Sequence, residues 1–237
     1  MTNYQQGILS PIPPTSRYLT FQAKHQGDIQ TALRALGELA DGDTLVVGIG
    51  KALLLQLAIT KPALSNFPSY TYAGIQIPST PADLWCWLRG DERGELLLRS
   101  QSLIDDLAQG FECVSIIDGF CHQQGRDLTG YEDGTENPVD DAAIAAAIVS
   151  NRGEGLDGGS FVAVQQWLHD MTTFKAMSDE AQDNMIGRRR SDNEELDDAP
   201  ESAHVKRTAQ ESFSPEAFVV RRSMSWSEGQ RGGLVFV

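Results

Sequence analysis

One short stretch of the chain, residues 128–138, combines groups that can move protons with groups that fix where they point. It reads Leu-Thr-Gly-Tyr-Glu-Asp-Gly-Thr-Glu-Asn-Pro and carries three carboxylates. Gly130 and Gly134 allow positive φ angles, and Asn137 precedes a proline, which signals a turn. We therefore predict a tight turn, the glycine-framed loop, that holds Asp133 in a defined direction. A solvated acid in a surface turn is the plainer interpretation, and an acid held over a reactive group is the functional one.

A histidine and a pair of arginines follow this loop in the sequence. His204 comes after the polar, acidic stretch 188–203, which predicts an exposed loop. Arg221 and Arg222 lie in the run 218–224, which predicts a strand. Neighbouring strand residues point to opposite faces, so one guanidinium should face inward, where it needs an anion or a polar ligand. A lone histidine is usually structural, but an acid, a histidine and an inward arginine together predict a site.

Other motif-like stretches fail the tests for the sites they suggest. The run Gly-Ile-Gly-Lys at 48–51 lacks the first glycine and the Ser or Thr of a phosphate loop, and Leu53 replaces the third glycine of a dinucleotide fingerprint. The acids around Asp133 do not match the calcium-loop pattern. The remaining histidines are predicted to be surface or packing residues: His25, His122 and His169.

The first half of the chain predicts alternating strands and helices. Apolar residues at helical spacing predict helices after Asp28, over 51–59 and from Leu96 to Leu107. Proline-rich residues 60–82 predict a connection. Strands are predicted at 17–22, 45–49, 83–89 and 111–117. The order β-α-β-β-α-β is the ferredoxin-like arrangement.

The second half repeats this pattern in part. Strands are predicted at 160–167, at 218–224 and from Gly233, with helix over 170–187 and a break before Ser178. The order β-α-β-β lacks a closing helix and strand, and an uncovered apolar edge is a liability, so we expect an incomplete chain. The predicted fold class is α+β, with two ferredoxin-like units and antiparallel sheets, and the predicted domains are 1–135 and 136–237.

Composition limits the partners and the location. A formal net charge of -14 over 237 residues argues against nucleic acid and anionic membranes as partners. No apolar run is long enough to span a bilayer, and the N-terminus does not have the pattern of a secretory signal. The three cysteines show no metal-type spacing and predict reduced thiols in a cytoplasmic protein.

Several motifs, in the same order, resemble those of the dye-decolorizing peroxidases. Residues 130–134 match the GxxDG motif of that family, and 135–138 continue as its bacterial members do. The segment 186–204 resembles the one that carries the proximal haem ligand, and 220–224 resembles the distal arginine strand. Residues 158–162 are also similar at the matching place. The similarity runs from about residue 17 to the end, and the chain resembles the cytoplasmic bacterial, YfeX-like branch most.

The resemblance implies a haem-dependent peroxidase with the dimeric α+β-barrel fold of that family. It implies one haem b per chain, held mainly by the second unit, with His204 as the proximal ligand of the iron. It implies that Asp133 transfers the peroxide proton and that Arg221, which aligns with the family's arginine, stabilises developing negative charge. The resemblance also implies that four residues besides His204 contact the cofactor: Gly134, Glu136, Arg221 and Ser223.

The resemblance also bears on partners. It implies hydrogen peroxide, a small reducing substrate such as a dye, phenolic or porphyrinogen-like donor, and a homo-oligomer, a dimer or larger. It places a carboxylate behind the proximal histidine in a C-terminal part that this chain lacks. Trp167 and Trp226 are candidates for relaying electrons, with core aromatics as the plainer interpretation. Two alternatives stay open here: a haem-handling protein without a dedicated peroxidase role, and a truncated chain that binds no haem.

Overall fold

Two units with their own internal contacts make up the chain in a computed structural model, which describes residues 3–60 and 64–237. The first comprises Met1–Gly119 and Ile148–Ala163, and the second comprises Phe120–Ala147 and Val164–Val237. The predicted domains, 1–135 and 136–237, stay a prediction. None of the helices in the described part of the chain is long and apolar enough to cross a membrane.

The first unit follows the predicted order of strands and helices. The predicted 51–59 helix is present over Lys51–Gln56. The predicted 60–82 connection contains a hairpin that was not predicted, and its residues 61–63 lie outside the described residues. The strands have the sheet order β2-β5-β1-β6, with β5 antiparallel to both β1 and β2. The elements are β1 (Thr15–Ala23), α1 (Ile29–Leu39), β2 (Leu45–Ile49), α2 (Lys51–Gln56), β3 (Tyr70–Tyr72), β4 (Ile75–Ile77), β5 (Leu84–Gly90), α3 (Arg93–Leu107) and β6 (Phe111–Phe120).

The core of the first unit lies between its sheet and helices α1 and α3. Alternate residues of β1 and β5 point to one face of a sheet, so Leu19 and Cys86 meet buried helix residues such as Leu36 and Leu103. Each fully buried aliphatic side chain contributes about 1.5–3 kcal/mol. The side chain of Asp28 accepts a hydrogen bond from the backbone at the start of α1, which fixes where that helix begins.

The second unit is a three-stranded antiparallel sheet with short helices. The sheet order is β8-β9-β7, with Trp226 opposite Gly233 and Trp167 opposite Leu234. The predicted helix break is confirmed, because Ser178 caps the second of two helices there. Helix α4 was not predicted. The elements are α4 (Asp140–Ala147), β7 (Gln165–Leu168), α5 (Met171–Ala176), α6 (Asp179–Ile186), α7 (His204–Arg207), β8 (Met224–Glu228) and β9 (Arg231–Phe236).

Antiparallel sheets with helices confirm the predicted α+β class, but two strands differ from prediction. Strand β7 begins at Gln165 rather than at residue 160, because its partner β9 ends at Phe236, directly opposite Gln165. Of the predicted strand 218–224, only Met224 belongs to a strand. Arg221 and Arg222 therefore precede β8. The expectation that they point to opposite faces of a strand is wrong, because they do not lie in a strand.

Candidate active site

The glycine-framed loop is held in shape by its own backbone. Gly130 and Gly134 have φ angles of 90° and 77°, a region that favours glycine. The backbone N–H of Asp133 donates to Gly125 O at 3.0 Å, and that of Asn137 donates to Gly134 O at 3.0 Å. The predicted tight loop is therefore present, and Asp133 is anchored at its backbone.

Asp133 faces Arg221. The distance from Arg221 Nη1 to Asp133 Oδ1 is 3.5 Å, and each side chain is 18% exposed. A pair at this distance is looser than a charge-assisted hydrogen bond, which lies near 2.7–2.9 Å. Each group can therefore still form a hydrogen bond to a small polar ligand that lies between or beside them.

Asn137 holds the backbone of Arg221. Its Nδ2 donates to Arg221 O at 2.9 Å, and its Oδ1 accepts from Arg221 N at 2.8 Å. Nearby, the N–H of Val219 donates to Gln210 Oε1 at 2.5 Å. These side-chain amides satisfy backbone groups of Val219 and Arg221, and the N–H of Arg222 donates to Val237 O at 2.8 Å. The segment before Met224 therefore has much of its backbone paired without forming a strand. The sequence predicts only a turn at Asn137, because a contact with a residue 84 positions away has no local signal.

His204 is the first residue of α7, and its position depends on the end of α6. Helix α6 ends at Gly187, whose φ of 93° turns the chain. An added Cβ at Gly187 would lie 2.3 Å from Val205 Cγ2, so α7 packs against this turn. Burial lowers the pKa of His204, the positive charge of Arg221 lowers it further, and Asp133 opposes them. All three predicted groups therefore lie close enough to act on one another electrostatically.

The 188–203 loop is tied to the glycine-framed loop by Arg188. Its largely buried guanidinium pairs with Glu136 and, at 3.0 Å, with Glu195 Oε2, and it donates to Asn193 O at 2.9 Å. The side chain of Asn193 in turn donates to Glu132 Oε2 and to Thr135 Oγ1, at 3.0 Å each. The loop predicted to be solvated therefore also contacts the glycine-framed loop that carries Asp133.

The other predicted residues have varied surroundings. Ser223 Oγ is buried and has no hydrogen-bond partner among the described residues. His169, predicted to be a surface or packing residue, is mostly buried, and its Nε2 lies 2.8 Å from Asp127 Oδ1. Trp226 is buried and donates to Trp167 O at 2.9 Å, whereas Trp167 is 38% exposed and stacks on Phe236.

Comparison with known proteins identifies the family of this chain. The family model for "Dyp-type peroxidase, C-terminal" matches residues 124–237, which include the glycine-framed loop, His204 and Arg221. A dye-decolorizing peroxidase of Rhodococcus erythropolis is 32% identical over 92% of this chain and 68% of its own length. The chain belongs to the dye-decolorizing peroxidase family. A dye-decolorizing peroxidase of Mycobacterium tuberculosis is 29% identical over 98% of this chain and 75% of its own length.

Solved dye-decolorizing peroxidases share the fold. DypB from Rhodococcus jostii RHA1 matches with a TM-score of 0.85 and 29% identity, over 98% of this chain and 81% of that one. A DyP-type peroxidase from Shewanella oneidensis matches with a TM-score of 0.85 and 27% identity, over 97% and 80%. A DypB variant in complex with haem matches with a TM-score of 0.83. The predicted family, fold class and peroxidase activity are confirmed, and the YfeX-like branch stays a prediction.

Proposed function

We propose that this peroxidase reduces hydrogen peroxide with Asp133 as the proton-transfer group and Arg221 as the anion-stabilising group, and that His204 would ligate the iron of a haem. The observation that carries the proposal is the pairing of two largely buried groups of opposite charge, Asp133 and Arg221. Asp133 and Arg221 pair at 3.5 Å, and the charges of both act on the His204 ring.

Haem is the cofactor, as the sequence predicted, and the residues present fit it. Metal binding needs a neutral imidazole, and both burial and Arg221 lower the pKa of His204, which favours that form. No hydrogen bond to the His204 ring is made by any residue in the described ranges. The segment between His204 and Arg221 exposes large apolar side chains, Phe213, Phe218 and Val219, which an apolar macrocycle can cover. When bound, the haem would supply the iron at which peroxide is reduced and would hold the two oxidising equivalents taken from peroxide until the donor returns electrons one at a time.

Asp133 moves the proton that peroxide reduction requires. The proton on one peroxide oxygen must reach the other before the O–O bond breaks, and a carboxylate Oδ can accept it and then return it. The side chain of Arg221 cannot replace Asp133 in this step, because a guanidinium stays protonated. Its positive charge instead stabilises negative charge on the peroxide and keeps the Asp133 carboxylate oriented.

Three further residues are predicted to contact the cofactor, and a different observation bears on each of them. The buried hydroxyl of Ser223 has hydrogen-bonding capacity left for a bound polar group. At Gly134 an added Cβ would lie 2.7 Å from Asn137 Nδ2, so the backbone beside Asp133 leaves no room for a side chain on that side. Glu136 is exposed but paired with Arg188, so its part is to hold the loop that carries Asp133.

The proposal also covers the electron donor, the cellular location and the oligomeric state. The electron donor is a small dye, phenolic or porphyrinogen-like molecule that gives electrons one at a time, in keeping with the family's activity. Three free cysteines, Cys86, Cys113 and Cys121, support a reducing, cytoplasmic location. We also propose that the chain forms homo-oligomers.

A haem titration of this chain, followed by Soret absorbance, tests the proposed ligand. We expect a saturable one-to-one shift that is lost in His204→Ala and retained in His25→Ala, because His25 is exposed and lies in the first unit. The same Soret shift and affinity in His204→Ala would show that another group holds the iron.

A further inference from the structure

The hairpin of β3 and β4 stands apart from the main sheets. The two strands pair only with each other among the described residues, with Tyr70 opposite Ile77, Thr71 opposite Gln76, and Tyr72 opposite Ile75. Ala73 and Gly74 join them with φ angles of 49° and 82°. Two consecutive positive φ values are typical of the turn whose twist matches that of a hairpin, so the ribbon is locally well formed.

One face of this hairpin is apolar and the other is polar. Side chains alternate between faces along a strand, and directly opposite residues share a face. The two Tyr–Ile pairs therefore form one face, and Thr71 with Gln76 forms the other. Tyr72 is 85% exposed and Ile75 is 68% exposed. Phe67, also exposed, meets the Tyr70 ring edge-on at 6.0 Å and extends the apolar face.

The exposed area is large for a surface that meets only water. At roughly 200 Å² for each large side chain, the exposed fractions of the five residues sum to about 600 Å² of apolar surface. This approaches the roughly 800 Å² that each partner contributes to a standard protein interface. An isolated two-stranded hairpin is marginally stable in water, so packing of this face on another surface would stabilise it.

Charge indicates which partner fits. The chain has a formal net charge of -14, but residues 62–82 contain no Asp, Glu, Lys, Arg or His. Two copies of an acidic protein repel each other, and an uncharged apolar patch is where they approach at least electrostatic cost. Such a patch is also self-complementary, as a two-fold contact between identical chains requires. A partner selected by charge would instead need charged side chains on the hairpin.

We propose that the apolar face of the hairpin, formed by Phe67, Tyr70, Tyr72, Ile75 and Ile77, binds a second copy of this chain. The proposal rests on the proposed homo-oligomer and assigns its contact surface. The polar face, with Thr71 and Gln76, stays in solvent. The hairpin thus acts as an interaction arm outside the sheet of the first unit.

Sedimentation velocity of the haem-loaded protein over a range of concentrations tests this surface. We expect wild type to associate, and Tyr72→Asp or Ile75→Asp to raise the dissociation constant at least about tenfold, because each places like charges inside the contact. Gln76→Asp is the matched control, since it adds the same charge to the opposite face of the same hairpin. It should associate like wild type.

The results distinguish the existence of a homo-oligomer from the surface through which it forms. A wild type that remains monomeric would overturn both the homo-oligomer and its contact surface. Association that is unchanged in Tyr72→Asp and Ile75→Asp would overturn the hairpin surface alone. Hydrogen exchange of wild type gives a test that needs no variant: the amides of 70–77 should gain protection as concentration rises. Equal exchange at low and high concentration would also overturn the surface.

Discussion

Asp133 and Arg221 form the central pair of the site. Each is mostly buried, and the 3.5 Å between Arg221 Nη1 and Asp133 Oδ1 leaves both able to contact a small ligand. A carboxylate can accept and return a proton, whereas a guanidinium supplies a fixed charge. Asp133 can therefore transfer a proton and Arg221 cannot. Substitution of Asp133 should slow proton transfer more than substitution of Arg221.

Replacing Asp133 should separate catalysis from haem binding. We expect Asp133→Asn to lower kcat/KM for hydrogen peroxide by roughly 10²–10⁴-fold, because an amide cannot accept the proton. The Soret band of the haem-loaded variant should persist, since His204 is unchanged. Stopped-flow kinetics with peroxide would measure this. Asp197→Asn is the control, because Asp197 is an exposed acid of the 188–203 loop. Wild-type kinetics in Asp133→Asn would exclude Asp133 as the proton-transfer group.

At the scale of elements, two loops and the end of one helix position the reactive groups. Asn137 gives the backbone of Arg221 a donor and an acceptor, as a neighbouring strand would. Arg188 ties Glu136 to the loop that leads to His204. Gly187 turns the chain at the end of α6. The site is thus assembled by side-chain contacts between irregular segments rather than by a sheet.

Loss of the Asn137 side chain should release Arg221. Asn137→Ala leaves the Arg221 N–H and C=O without their partners, which should cost about 1–3 kcal/mol of unfolding free energy. Peroxide kcat/KM should fall as well, because the guanidinium moves with its backbone. Denaturant unfolding and steady-state kinetics would measure the two effects. Asn66→Ala, at an exposed asparagine, should change neither. Full activity in Asn137→Ala would contradict a positioning role.

A side chain at Gly187 should displace α7. Gly187→Ala combines a strained φ of 93° with a Cβ placed 2.3 Å from Val205 Cγ2. Gly153→Ala has a similar φ of 102° but open space, so it isolates the backbone strain, which costs about 1 kcal/mol. We expect Gly187→Ala to lower stability by a further 1–3 kcal/mol or so, as overpacking does. Only Gly187→Ala should weaken haem binding, because Val205 follows His204, the proposed haem ligand. Equal melting temperatures and haem affinities would contradict this packing.

For the whole molecule, haem binding and folding should be linked. A ligand that binds only the folded state at 100 times its dissociation constant stabilises that state by about 2.7 kcal/mol. For a chain of this length each kcal/mol raises the melting temperature by about 2–4 °C. Calorimetry should therefore show haem raising the melting temperature of the chain by about 5–11 °C, and His204→Ala should abolish the shift. A shift of equal size in His204→Ala would place the haem elsewhere.

Local patterns were enough to predict most of the elements. The helix after Asp28 and the break before Ser178 follow from capping residues and apolar spacing, and both are present. The positive φ angles of Gly130 and Gly134 follow from residue type. Strand prediction failed for 218–223, because strand propensity does not reveal whether a neighbouring strand is there to pair with. At Val219 and Arg221, side chains supply the partners instead.

The sequence by itself determined the chemistry of this protein: an acid in a glycine-framed loop, a histidine, an arginine, and the order of motifs that marks the dye-decolorizing peroxidases. Only the tertiary structure decided how these groups are held. Asn137 meets Arg221 across 84 positions and Arg188 meets Glu136 across 52. Hydrogen bonds between residues so far apart leave no periodic trace in the chain, because they depend on where the folded segments meet and not on local preference.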